Sequence, residues 1–300
     1  MTPSPRELAN AIRFLAMDAI ALAGDGHPGT PLGAADICTA LFTRHLRFDP
    51  ACPRWPDRDR FVLSNGHGST LLYALLHLAG YAAFPLEQVQ RFRELGSNTP
   101  GHPEYEPDHG VEITTGPLGQ GIANAAGMAV AEAMLNEEFG DDVVRHWTYA
   151  LVGDGCLMEG LGHEVISLAG HLKLGRLIFL YDSNRMTDDG ATSQAVSEDY
   201  MVRFACAGWH VQECDGHDQD AIAAAIAAAK LDPRPSMIKC NTLIGFGVPR
   251  IEDQRVAHGG KLFEDDAKAA RELLGWPHGH FVVPEPILAA WRAAGRRGTV

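Results

Sequence analysis

Trp147-Thr-Tyr-Ala-Leu-Val-Gly-Asp-Gly-Cys-Leu-Met-Glu-Gly160 and Leu177-Ile-Phe-Leu-Tyr-Asp-Ser-Asn184 decide the fold. Each opens on a short apolar run and breaks into polar residues. The spacing predicts strands over 147–152 and 177–181, a Gly153-Asp154-Gly155 turn and a helix over 159–172. Working outward, 61–64, 209–211 and 236–240 also read as strands. Apolar side chains recur at helical spacing over 6–23, 34–46, 69–78, 121–135 and 221–230. Short apolar strands alternating with helices predict an α/β fold, a mostly parallel sheet with helices on both faces. A polar loop rich in Gly and Pro fills 96–119. After Pro284 and Pro286 the pattern ends in a tail rich in Ala, Arg and Gly. The chain therefore divides into a ligand-binding domain over 1–275 and a tail over 276–300 that starts a linker.

A chain of 300 residues can bury a large core without staples. Lys plus Arg number 25 against 38 Asp plus Glu, a net charge of −13. That balance argues against nucleic-acid binding, which needs cationic surface, and against an electrostatic membrane anchor. The longest apolar stretch, 71–84, is interrupted by Tyr73, His77 and Tyr81, so no membrane span is expected. The N-terminus lacks the basic-then-apolar order of a secretory signal. None of the 6 cysteines forms a Cys-x-x-Cys, which fits a reducing cytoplasm.

Ligands of a parallel sheet sit at the carboxyl ends of its strands. Asp154 and Asn184 stand at two such ends, about one strand–helix–strand unit apart. A carboxylate and an amide oxygen are hard donors suited to Mg²⁺ or Ca²⁺, and Mg²⁺ takes few protein oxygens plus substrate phosphates. Gly153 and Gly155 let backbone approach a phosphate, and the helix starting near 159 favours its charge. The dinucleotide fingerprint is absent, because Met158 stands where its third Gly belongs.

The segment Gly153–Gly160 followed by Asp182-Ser-Asn-Arg-Met-Thr-Asp-Asp-Gly190 resembles the signature of thiamine-diphosphate enzymes, in the transketolase version. Gly26-His-Pro-Gly-Thr-Pro-Leu-Gly33, Leu63-Ser-Asn-Gly-His67, Thr99-Pro-Gly-His-Pro-Glu104, Thr114-Thr-Gly-Pro-Leu-Gly-Gln-Gly121 and Ser167-Leu-Ala-Gly-His-Leu-Lys-Leu-Gly175 are similar to transketolase blocks in the same order. The resemblance implies a thiamine-diphosphate fold of the diphosphate-binding type. It implies that the Asp154 and Asn184 side chains and the Met186 carbonyl bind the metal. It implies that Gly153 and Gly155 meet the diphosphate, while Gly116 and Leu118 contact the cofactor rings. Glu159 belongs by resemblance to a carboxylate network at a subunit interface. At position 188 the chain carries Asp where the family has an apolar residue beside the thiazolium.

Of the 14 histidines, His27, His67, His102 and His258 sit beside Gly, or Gly and Pro, in predicted loops. Imidazole donates or accepts protons near neutral pH and can hydrogen-bond a developing oxyanion. Ketol transfer takes a proton from the donor C3 hydroxyl and delivers one to the acceptor. The resemblance implies that His27 and His258 move these protons, with His258 also at the cofactor. It implies that His67 and His102 hold the two-carbon fragment, with His67 near the diphosphate.

In the family, the glutamate that hydrogen-bonds the cofactor pyrimidine lies in a following domain. The matched blocks stop short of it. The expectation is one half of a split transketolase, joined as a two-fold heterotetramer by a separately encoded pyrimidine-binding subunit and acting on ketose and aldose substrates. Two readings compete. One is the α subunit of a thiamine-dependent 2-oxo-acid decarboxylase or dehydrogenase. The other is a non-catalytic partner that keeps the fold.

Overall fold

The computed structural model describes residues 2–298; Thr299 and Val300, the end of the expected tail, lie outside them. The elements follow in the order α1 (Pro5–Ala23), α2 (Gly29–Gly33), α3 (Ala35–Arg44), β1 (Arg60–Leu63), α4 (Ser69–Ala79), α5 (Leu86–Gln90) and α6 (Gln120–Phe139). Then come β2 (Thr148–Gly153), α7 (Asp154–Met158), α8 (Gly160–Leu172), β3 (Leu177–Ser183), α9 (Tyr200–Cys206), β4 (His210–Asp215), α10 (Gln219–Ala229), β5 (Ser236–Asn241), α11 (Glu264–Leu274) and α12 (Glu285–Ala294). The five strands form one parallel sheet in the order β1-β2-β3-β5-β4.

Strand alternation divides the interior in two. Tyr149, Leu151, Ile178, Leu180, Ile238 and Cys240 face a core shared with α1, α3, α4, α10 and α11. Ala150, Val152, Phe179, Tyr181 and Met237 face the other, built with α6, α8 and α9. Both faces are covered, so the central strands are apolar throughout, as a parallel sheet requires. Burying each large aliphatic or aromatic side chain contributes about 1.5–3 kcal/mol. Local signals set helix ends. Ser4 and Glu7 form a capping box at the start of α1, Pro5 occupies its first turn, and Gly24 ends it at φ 72°.

Two elements differ from expectation. The helix expected over 159–172 is present as α8, but the expected 153–155 turn is a further short helix: α7 follows β2 directly, and the chain breaks at Glu159, whose extended backbone (ψ 143°) caps α8. The glycine turn is thus itself a helix start. β4 runs over His210–Asp215 rather than 209–211. Trp209 is buried, and its indole N–H donates to the Ile166 carbonyl at 2.8 Å, which fixes the turn before the strand. In the tail, α12 packs Trp291 at 0% exposure, its indole N–H on the Leu8 carbonyl at 3.3 Å. Among the described residues no helix is long and apolar enough to cross a membrane, and the six cysteines are free.

Candidate active site

Parallel strands deliver their carboxyl ends to one rim. Ser64-Asn65-Gly66-His67 leaves β1, Asp154-Gly155 leaves β2, Asn184 leaves β3 and Thr242 to Ile244 leaves β5. A cavity of about 340 Å³ opens there. Its walls include Gly153, Asp154, Gly155, Glu159, Asn184 and Met186, together with His67, Leu118 and His258.

The four histidines converge. His27 lies with its ring centroid 5.1 Å from His67, 5.9 Å from His258 and 6.5 Å from His102. His67 and His258 are 4.9 Å apart. Burial, and then the neighbouring His258, hold His27 down at about 4. Burial, His258, His27 and His102 hold His67 at about 3. Burial also lowers His258, and Asp188 opposes that shift. His27 and His67 therefore stand neutral at pH 7, each with a lone pair and an N–H to offer. The buried His27 Nδ1 has no partner in the protein.

Gly116 comes close to His102: a Cβ there would sit 3.0 Å from the imidazole Cδ2, at a φ of +149° that side chains rarely adopt. Gly155 faces Leu118, where a Cβ would come within 2.7 Å of Cδ1. Glu159 lies exposed at the cavity mouth. Gly116, His27 and His102 do not line this cavity; His27 packs against His67 and His258, which do, and His102 lies next to His27 and Gly116.

Asp154 is buried at the start of α7. Tyr181 donates its hydroxyl proton to Asp154 Oδ1, and the Arg185 N–H donates to Oδ2 at 3.2 Å. No cation neutralises it among its main influences, so burial pushes its carboxyl up to about 6. The loop after β3 wraps this carboxylate. Asn184 Oδ1 accepts from the Met186 N–H at 3.0 Å, and Asn184 Nδ2 donates to Asp182 Oδ2 at 3.3 Å. Asp182 is fully buried, accepts from the Thr242 hydroxyl, and is pushed up to about 7, first by burial. Among the described residues no group of three or more His, Cys, Asp and Glu is placed to hold a metal. The arrangement is instead an oxygen pair beside a glycine-lined helix start.

Several wall residues were not singled out from sequence. Asn65 donates to Thr30 Oγ1 at 3.2 Å, and its buried Oδ1 has no partner. Asn65 and Thr30 lay inside the quoted blocks but between more conspicuous glycines and histidines. Ile244 follows β5, and the strand-end rule applied to 236–240 points to it. Asp182, next to Asn184 in the motif, orients that amide. Asp188 is exposed at the cavity wall, and Arg255 Nε donates to its backbone carbonyl.

Residues 4–300 match the family described as transketolase, thiamine diphosphate binding domain. The transketolase of Cereibacter sphaeroides is 56% identical over 291 residues, covering 97% of this chain and 44% of that protein. The transketolase structure of Campylobacter jejuni superposes with a TM-score of 0.95 at 42% identity, covering 98% of this chain and 46% of that one. A Pichia stipitis transketolase in complex with sedoheptulose-7-phosphate gives a TM-score of 0.94 at 43% identity, over 98% of this chain and 44% of that one. The chain thus spans less than half the length of these relatives. With its parallel sheet, rim cavity and glycine-lined helix start, it belongs to the transketolase family, as a thiamine diphosphate binding domain.

Proposed function

We propose that this chain is the diphosphate-binding subunit of a split transketolase, acting in the cytoplasm. It transfers a two-carbon ketol unit from a phosphorylated ketose to an aldehyde acceptor. The observation that carries this reading is the clustering of His27, His67, His102 and His258, two of which, His67 and His258, line the same cavity as Asp154 and Asn184. A 2-oxo acid offers no C3 hydroxyl for such a set to deprotonate, which favours ketol transfer over oxo-acid decarboxylation. A non-catalytic scaffold has no use for a buried carboxylate without a cation.

The residues fit the cofactor. Gly153 and Gly155 would leave backbone room for a diphosphate, and the N–H groups at the start of α7 would be its donors. Asp154, the Asn184 side chain and the Met186 carbonyl would supply hard oxygens for Mg²⁺ or Ca²⁺. The unpartnered Asn65 Oδ1 offers an acceptor to the bound group. Leu118 and Gly116 flank the rings. Thiamine diphosphate supplies the electron sink for breaking the carbon–carbon bond.

The chain's own work is proton management and position. Neutral His27, with His258 beside it, accepts the proton of the donor C3 hydroxyl and returns one to the acceptor oxygen. His67 and His102 hydrogen-bond the oxygens of the transferred fragment. Glu159, at the cavity mouth, faces the partner subunit.

That partner supplies the pyrimidine-binding half, in a two-fold heterotetramer. The relatives are more than twice as long as the stretch they share with this chain. Exposed apolar side chains fit such a partner: Met134 and Phe139 on α6, and Leu168 and Leu172 on α8. The test is to mix the two purified subunits with thiamine diphosphate, Mg²⁺, a ketose phosphate and an aldose phosphate. Ketol transfer by the mixture and near-silence of this chain alone is the expected result. Full activity of the lone chain removes the split arrangement. Turnover of a 2-oxo acid without any ketose removes the ketol-transfer reading.

A further inference from the structure

Away from the cavity, a pair of thiols stands unused. Cys214 on β4 and Cys240 on β5 are register partners in the parallel sheet. Both side chains face the same core, and their sulfurs are 3.8 Å apart. Paired residues on neighbouring strands lie roughly 4.8 Å apart, inside the 4.4–6.8 Å Cα separation that disulfides span. β4 is the edge of the sheet, so Cys214 is half-buried and reachable, while Cys240 is fully buried behind it.

We propose that Cys214 and Cys240 are an oxidative modification site, converted reversibly to a disulfide by a hydroperoxide. The Cys214 sulfur attacks a peroxide oxygen and the O–O bond breaks. The Cys214 proton leaves with the departing oxygen, as water when the oxidant is hydrogen peroxide. The sulfenic acid left on Cys214 is then attacked by the Cys240 sulfur; the S–O bond breaks, and its hydroxyl leaves as water with the Cys240 proton. Each sulfur gives up one electron, and the peroxide takes both. A dithiol reductant reverses the bond by exchange.

The roles are unequal. Cys214 is the half-buried sulfur that an oxidant reaches first, so it is the attacking one, and contact with Cys240 lowers its thiol in the same sense. Cys214 and burial push Cys240 well up, which suits a resolving thiol that acts second. The pair lies in the row Gly153, Asp182, Cys240, Cys214, which crosses four strands. The modification therefore sits two strands from the glycine turn, beside the strand that carries Asp182.

The test uses the folded chain with exposed Cys52 and Cys206 replaced by Ser, which blocks cross-links between molecules. After hydrogen peroxide treatment without denaturant, the protein should lose the mass of two hydrogens. A peptide map should join Cys214 to Cys240, and dithiothreitol should restore both thiols. In a Cys240→Ala variant, Cys214 should stop at the sulfenic acid and be trapped by dimedone, with an unchanged circular dichroism spectrum. The proposal is overturned if the native pair stays as two free thiols. It is equally overturned if Cys214 traps dimedone as readily with Cys240 present as without it.

Discussion

His67 and His258 face each other with ring centroids 4.9 Å apart, although one follows β1 and the other lies beyond β5. Their mutual field adds to burial in lowering His67 to about 3, and His27 is held at about 4. In the unfolded chain both titrate near 6.5. Between those values the unfolded state binds more protons, so these histidines make stability fall as pH drops through that window. Asp182 and Asp154, raised to about 7 and about 6, act in the opposite sense: the folded state binds their protons first, so their contribution is lost as pH rises. Urea midpoints at about pH 7.5 and 5 separate the two. The His27→Gln/His67→Gln double variant should lose less stability on acidification than the native chain, and Asp182→Asn should lose more. An identical acid response in all three proteins would show that these groups do not differ between folded and unfolded states.

Asp154 and Asn184 offer the only oxygens we assign to the metal, besides one carbonyl. Asp154→Asn should remove Mg²⁺-dependent binding of thiamine diphosphate, followed by titration calorimetry with the reconstituted subunits. Asp182→Asn loosens Asn184 without touching the ion and should weaken binding by roughly 10–100-fold. Unaltered binding heat in Asp154→Asn would exclude it as a ligand.

Two glycines near the cavity should respond differently to alanine. At Gly66 a Cβ would press within 2.7 Å of the Gly116 backbone nitrogen, which cannot move aside. Gly66→Ala should therefore cost about 1–3 kcal/mol of stability, as overpacking does. At Gly155 the Cβ meets only the end of the Leu118 side chain, at 2.7 Å. Gly155→Ala should keep its thermal midpoint and lose cofactor affinity as Leu118 shifts. Equal thermal losses in both variants would contradict this.

Trp291 anchors the tail through α12 and is completely buried. Trp291→Ala should cost about 3–5 kcal/mol in denaturant unfolding. A loss below about 1 kcal/mol would mean that the tail docks only loosely.

Met134 on α6 is 68% exposed and Leu168 on α8 51% exposed. Leu168→Asp should leave the midpoint of the chain alone nearly unchanged, since surface substitutions move stability by about 0.5 kcal/mol or less. It should weaken assembly with the pyrimidine-binding subunit, measured by analytical ultracentrifugation. Undiminished assembly would place the interface elsewhere.

Much of the site was legible because its parts are punctuation. Gly153-Asp154-Gly155 and Asp182-Ser183-Asn184 interrupt apolar strands, and a polar break after a buried strand marks the rim of a parallel sheet. The histidines stood out through their Gly and Pro neighbours. Thr30, Asn65 and Ile244 did not, because an ordinary residue becomes a wall only when several strand ends meet. The start of α7 at Asp154 was missed for a related reason. A glycine pair reads as a turn, and only packing against Leu118 and the β3 loop settles a helix there.

By itself the sequence determined the alternation of strand and helix, the oxygen and imidazole donors available, and the family to which they point, because periodicity and side-chain chemistry are local. The tertiary structure alone decided that β5 lies between β3 and β4. It also decided that His27, His67, His102 and His258 share one environment, and that Cys214 faces Cys240. Strand order and the field inside a buried cleft arise from contacts between residues far apart in the chain, and local pattern carries no record of them.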